Sequence, residues 1–150
     1  MPYTRIVVQT ADFDAAAEAK RLLAGDSVNG ALVTFTGLVR GGEVQAMELE
    51  HYPAMTEKSL AAIVEDACRR WPVLGGVTVI HRVGRLLPGE QIVLVIVASP
   101  HRAAAFEAAE FIMDWLKTEA PFWKKEYLAH GEARWVDARE TDDAAKARWQ

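Results

Sequence analysis

Three lysines, Lys117, Lys124 and Lys125, fall within LKTEAPFWKKEY (residues 116–127), in company with Leu116, Pro121, Phe122, Trp123 and Tyr127. An ammonium beside that much apolar surface has two fates. It snorkels, laying its methylenes along the surface and its charge in water. Alternatively it is desolvated, its pKa falls, and it moves protons near neutral pH. Strand alternation puts Phe122, Lys124 and Glu126 on one face and Trp123, Lys125 and Tyr127 on the other. One lysine therefore meets apolar surface whichever face packs inward. Lys117 closes a helix, where a cation complements the macrodipole; taken alone, that position is structurally ordinary.

A second cationic feature is SPHR (99–102). Ser99 is a good N-cap and Pro100 suits the first helical position, which places His101 and Arg102 in the first turn. Cations are mildly disfavoured there, whereas exposed N–H groups favour an anion. The set suits a phosphate or carboxylate. The plain alternative, that Arg102 reaches solvent or pairs with Glu107, carries equal weight on this feature alone. His81, in VIHRVG, reads as a strand histidine hydrogen-bonded in or near the core. His51 reads as structural and His130, beside Gly131, as a turn residue. Four scattered histidines without cysteine partners make no metal site. Neither a phosphate-cradling glycine loop nor a G-x-S-x-G elbow is present. Cys68, the sole cysteine, reads as a buried, inert thiol.

These residues need elements to hold them. TRIVVQ (4–9), GALVTFTGLVR (30–40), VQAMELEHY (44–52), VTVIHRVG (77–84) and QIVLVIVAS (91–99) read as strands. The second and third of these are expected to form a hairpin across GGE (41–43), and Pro88–Gly89 supplies turn chemistry in LLPGE. Helices are expected over 12–25, 54–71 and 100–117, the last with Phe106, Ala109, Met113 and Leu116 on its buried stripe, and Pro121 stops it. FWKKEYLA and ARWVDA read as short strands, and DDAAKARW as a last helix. The order implies an α+β fold with mostly antiparallel pairing, in a single domain spanning residues 1–150.

Composition narrows the function classes. Half the residues are apolar, a quarter are charged, and the net charge is −4, which argues against nucleic acid as the main partner. No apolar run approaches the ~20 residues of a membrane span, and MPYTRIVVQT lacks the layout of a secretory signal. A cytoplasmic protein is the expectation.

The assembled motifs resemble one family closely. GALVTFTGLVR, LEHYPAMTEKSL, VIHRVGRLLPGE, SPHRAAAFEAAEFIMDWLKTEAPFWKKE and RWVDARE, from about residue 28 to about residue 142 and in order, look like the catalytic (large) subunit of molybdopterin synthase. The resemblance implies an α/β-hammerhead fold with an additional antiparallel β subdomain. It implies a sulfurtransferase that converts cyclic pyranopterin monophosphate to the dithiolene of molybdopterin, in molybdenum cofactor biosynthesis. The sulfur would arrive as a C-terminal Gly-Gly thiocarboxylate on a small ubiquitin-like partner. Two large subunits would form a central homodimer, with a small subunit docked at each end of the heterotetramer, and no bound cofactor is implied.

Residue by residue, the resemblance places Leu38, Val39 and Arg40 in the substrate pocket. His101 and Arg102 would sit on the substrate's anionic end. Lys117 would lie beside the reacting carbon and the partner's tail, with Lys124, Lys125 and Glu126 in the following pocket segment. Arg139 would reach in from the neighbouring protomer. Lys117 is expected to be the main acid/base group, with Lys124 assisting. The turn GGEV after Arg40 is shorter than the loop many relatives carry, which weakens any expectation of loop closure there. A non-catalytic scaffold would not need His101, Arg102, Lys117 and Lys124 together. A generic phosphate-ligand binder would need no groove for an extended tail.

Overall fold

The computed structural model describes residues 2–136 and 140–150. The strands are β1 (Tyr3–Gln9), β2 (Ala31–Leu38), β3 (Val44–His51), β4 (Gly76–Arg82), β5 (Gly84–Leu86), β6 (Gln91–Ser99), β7 (Phe122–Leu128) and β8 (Ala133–Val136). The helices are α1 (Ala15–Leu23), α2 (Pro53–Arg70), α3 (Arg102–Glu119) and α4 (Glu140–Ala147). They form two four-stranded sheets, ordered β1-β4-β6-β2 and β5-β3-β7-β8. Among the described residues only β1 and β4 pair in parallel; the remaining ladders are antiparallel.

The first sheet is central because its middle strands are apolar on both faces. All of β4 is buried, and so is all of β6 after Gln91, the pattern of strands covered on two sides. On one face Val77, Val79, Val93, Val95 and Val97 pack with Leu60, Ile63 and Val64 of α2 and with Phe111, Ile112 and Leu116 of α3. On the other, Ile80, Leu94 and Ile96 pack with Phe13 and Leu22 around α1, whose N-cap Asp14 accepts from the Ala17 N–H at 3.1 Å. A third cluster, Val39, Leu49, Val83, Leu86 and Ile92, joins the two sheets.

The structure corrects three expectations. β2 and β3 form no hairpin: β2 pairs with β6 and β3 with β5 and β7. The cause lies at Val39, which donates to the Glu90 carbonyl and accepts from the Gly89 N–H, both at 2.9 Å. These bonds hold the end of β2 in the first sheet, and the chain leaves it through Gly42 at φ 90°. The segment 77–84 is not one strand, because Gly84 at φ 92° turns the chain from β4 into the second sheet. Phe106 is not on the buried stripe of α3 but 61% exposed; Ala105, Ala108 and Ala109 fill that part of the interface.

A lysine-bearing seam between the two sheets

The face of β7 that packs inward is settled by its neighbour. Lys124 pairs with Leu49 of β3, and Leu49 is 1% exposed; directly paired residues share a face. Phe122, Lys124 and Glu126 therefore look toward the first sheet. Lys125 lies on the outer face, its Nζ 5.4 Å from the Tyr127 ring centre and 5.5 Å from that of Trp135. The adjacent lysines thus take the two fates separately: Lys125 is held over aromatic faces near solvent, while Lys124 enters the seam. Glu126 accepts from Arg134 Nε at 3.0 Å.

Opposite Phe122 stands His81, the last inward residue of β4. The two rings stack with centroids 3.8 Å apart and planes 17° apart, and the His51 ring centre lies 6.2 Å from that of Phe122. A carbonyl only accepts, so the 2.8 Å contact between His81 Nδ1 and the Arg82 oxygen fixes the proton on Nδ1. Burial pushes the His81 pKa down to about 3, and the charges of Lys124, Lys117 and His51 push it the same way. His81 is hydrogen-bonded in the core, as its strand position suggests. The charges of Lys117 and Lys124, from α3 and β7, thus both bear on one buried imidazole.

The end of β2 borders the same seam. α3 lies on β2 and β6 and runs back from Ser99 toward the Gln91 end of β6. Lys117 thereby comes level with Leu38, whose partner is Gln91. Val39 is buried, whereas Leu38 and Arg40 are exposed. Phe35 joins them: it shares the α3-facing side of β2 with Val33 and is 40% exposed. A Cβ on Gly37 would sit 2.6 Å from Val93 Cγ1 and 3.4 Å from the Phe35 ring, so the glycine makes room for both. Sequence reading missed Phe35; an aromatic residue followed two positions later by a strand glycine was the available signal.

His101 and Arg102 are elsewhere. The N-cap of α3 is His101, not Ser99, and Pro100 precedes the helix; the Ser99 hydroxyl instead accepts from the His101 N–H at 3.2 Å. No side chain caps the first turn and no acidic residue lies in it. Both residues are exposed. Glu107 does not pair with Arg102 but accepts from Trp71 Nε1 at 3.1 Å. From Arg102 to Lys117 the helix rises ~22 Å at ~1.5 Å per residue. Within one protomer the two groups of cations do not meet. Arg139 lies outside the described residues.

A cleft of about 380 Å³ between α2 and α3, lined by Asp66, Phe111, Trp115 and Glu119 among others, is on the wrong side of α3. Residues 115 and 119 share a helical face that 117 does not. Cys68 is half-buried, and burial, reinforced by Glu65, raises its pKa, which disfavours the reactive thiolate. Among the described residues, no group of His, Cys, Asp and Glu side chains is placed to hold a metal ion, and no helix is long and apolar enough to cross a membrane.

Fold and seam together define a small α+β protein that presents lysines from two elements at an apolar junction between sheets. The chain belongs to the MoaE protein family, whose model matches residues 8–119. It is 60% identical to the molybdopterin synthase catalytic subunit of Ralstonia nicotianae, across 99% of this chain and 85% of that protein. It is 56% identical to the subunit of the same name from Escherichia coli, across 99% and 100%. The MoaE protein of Burkholderia ambifaria superposes with a TM-score of 0.85 at 57% identity, covering 97% of each chain. The molybdopterin synthase structure from Staphylococcus aureus gives 0.78 at 32%, covering 87% of this chain and 95% of that one. The α+β architecture with its second antiparallel sheet is thus shared with the family.

Proposed function

We propose that this chain is the catalytic subunit of a molybdopterin synthase. It takes sulfur from the C-terminal thiocarboxylate of a small ubiquitin-like partner and places it on cyclic pyranopterin monophosphate. The observation that carries the reading is the place of Lys124 on the inward face of β7, level with buried Leu49, where its charge and that of Lys117 both bear on His81. The thiocarboxylate sulfur bonds to a substrate carbon, and the carbon–oxygen bond at that carbon breaks, its oxygen leaving as water. Water then cleaves the acyl–sulfur bond, returning a carboxylate to the carrier and leaving sulfur on the pterin. Lys117, exposed at the mouth of the seam, moves the protons that the departing oxygen and the hydrolysis require. Lys124 stabilises the developing negative charge from the inner face of β7. Leu38, Val39 and Arg40 border the substrate, and Phe35 offers its ring to the flat pterin. Glu126 orders the segment through Arg134, and Lys125 takes part through its main chain, its side chain lying on the other face.

His101 and Arg102, with the uncapped N–H groups of α3, form a phosphate site. Because they stand ~22 Å from Lys117, the substrate they hold belongs to the seam of a second copy. The working unit is then a dimer in which each protomer lends its helix start to its neighbour. The whole chain acts as one domain, in the cytoplasm. A complex of subunits 1 and 2 of a molybdopterin-converting factor is known from Helicobacter pylori, whose matching chain shares this fold at 22% identity; the reading assigns a comparable partner here. The test is direct: purified chain, thiocarboxylated partner and pterin monophosphate together yield the dithiolene product. Binding of both without product would leave only a scaffold.

A further inference from the structure

His81 is the buried group at the seam for which the reaction as described has no use. Val77 and Val79, the preceding residues on its face of β4, are fully buried aliphatics. Another aliphatic at 81 would continue that pattern with no polar atom to satisfy. What the imidazole adds is Nε2. With the proton on Nδ1, Nε2 keeps its lone pair. The Phe122 stack and the Arg82 bond fix its direction. Lys124 follows Phe122 on the same face of β7, one strand repeat of ~6.6 Å away, a distance a lysine side chain spans. Lys117 comes from α3. Among the described residues, His51 of β3 is the other titratable group whose charge bears on the ring. The Arg82 side chain turns to the opposite face, donating to the carbonyls of Thr10 and Gln91.

We propose that His81 is a positioning residue for sulfur transfer: its Nε2 accepts an N–H from the Lys124 ammonium and holds that side chain in the seam beside Lys117. An uncharged acceptor suits this place. A carboxylate would draw both lysines into fixed ion pairs, and an imidazolium would repel them; a neutral ring orients Lys124 and leaves Lys117 available for proton transfer. The inference rests on the synthase reading for its kinetic arm only.

The two imidazole nitrogens are separated by replacement. His81→Asn keeps a donor near the Nδ1 position and His81→Gln an acceptor near the Nε2 position. In the complete assay with thiocarboxylated partner, His81→Gln is expected to stay within about three-fold of wild-type kcat. His81→Asn is expected to lose about ten-fold or more, with KM little changed. An active His81→Asn beside an impaired His81→Gln, or equal activities, overturns the proposal and leaves a purely structural histidine. A second measurement needs neither substrate nor turnover. The ¹⁵N resonances of His81 in the wild-type chain should report protonated Nδ1 and unprotonated Nε2 between pH 5 and 8, and Nε2 should shift in Lys124→Met. An Nε2 resonance indifferent to that substitution refutes the contact, even if the wild-type protein makes product. A wild-type protein that makes none sinks the synthase reading and leaves the resonance to decide the contact.

Discussion

Arg102→Ala and Lys117→Ala are expected to complement one another in a mixed dimer. The helix that carries both residues separates them by ~22 Å, and extended arginine and lysine side chains of ~6–7 Å each do not close that gap. If each reacting site draws Lys117 from one copy and Arg102 from the other, a homodimer of either variant is defective at both sites. Each loses a charge-assisted contact of about 1.5–3 kcal/mol, or roughly 10–100-fold in turnover. A hybrid of the two variants concentrates both lesions in one site and leaves the other intact. A purified hybrid should then recover about half of wild-type activity, and a randomly reassorted mixture about a quarter, because half its dimers are hybrids. Two affinity tags isolate the hybrid, and dithiolene formation with excess thiocarboxylated partner measures it. A hybrid no more active than its parents would show that the two residues serve the same protomer, and the shared-site reasoning would fall.

Four further outcomes follow from the same structure. Lys117→Ala should cost far more activity than Lys125→Ala, whose side chain lies over Tyr127 and Trp135 on the outer face; comparable rates would refute the assignment. Cys68→Ser should keep most activity, since burial already holds its thiol protonated; a folded but inactive variant would implicate the sulfur. Gly30→Ala should destabilise the fold by about 1–3 kcal/mol in denaturant melts, because its Cβ would meet the Pro100 carbonyl oxygen at 2.6 Å; an unchanged midpoint would contradict that contact. Finally, His81 has a folded pKa of about 3 against a usual 6.5. Below pH 6.5 the unfolded chain gains a proton that the folded chain refuses, so stability falls with pH. The loss should reach about 2 kcal/mol by pH 4.5 relative to pH 6.5, and His81→Phe should lack that component.

The local chemistry of this chain was readable where side-chain period and burial coincide. β6 announces itself by its unbroken aliphatic run, and the division of β7 into two faces by alternation alone. What alternation could not say was which face was inward; that depended on Leu49, far upstream of its partner Lys124. The expected hairpin failed for a similar reason, because the bonds that hold Val39 come from Gly89 and Glu90, far along the chain. Arg102 and Lys117 were correctly placed at the two ends of one helix, yet that placement already forbade the single-protomer cleft they suggested. Phe35 went unnoticed because an aromatic residue in a strand ordinarily signals core, and only the crowded position at Gly37, which a side chain could not share with its ring and Val93, distinguishes it.

The opposite orientations of Lys124 and Lys125 make the function sensitive to reading frame within a strand. Removing one residue between Pro121 and Lys124 would keep the net charge and the amphipathic character of β7, yet it would rotate the wrong ammonium into the junction. Such a deletion mutant should fold, bind anions and fail to turn over. The turn at His130–Gly131, on the far side of the strand, can vary in length without that penalty.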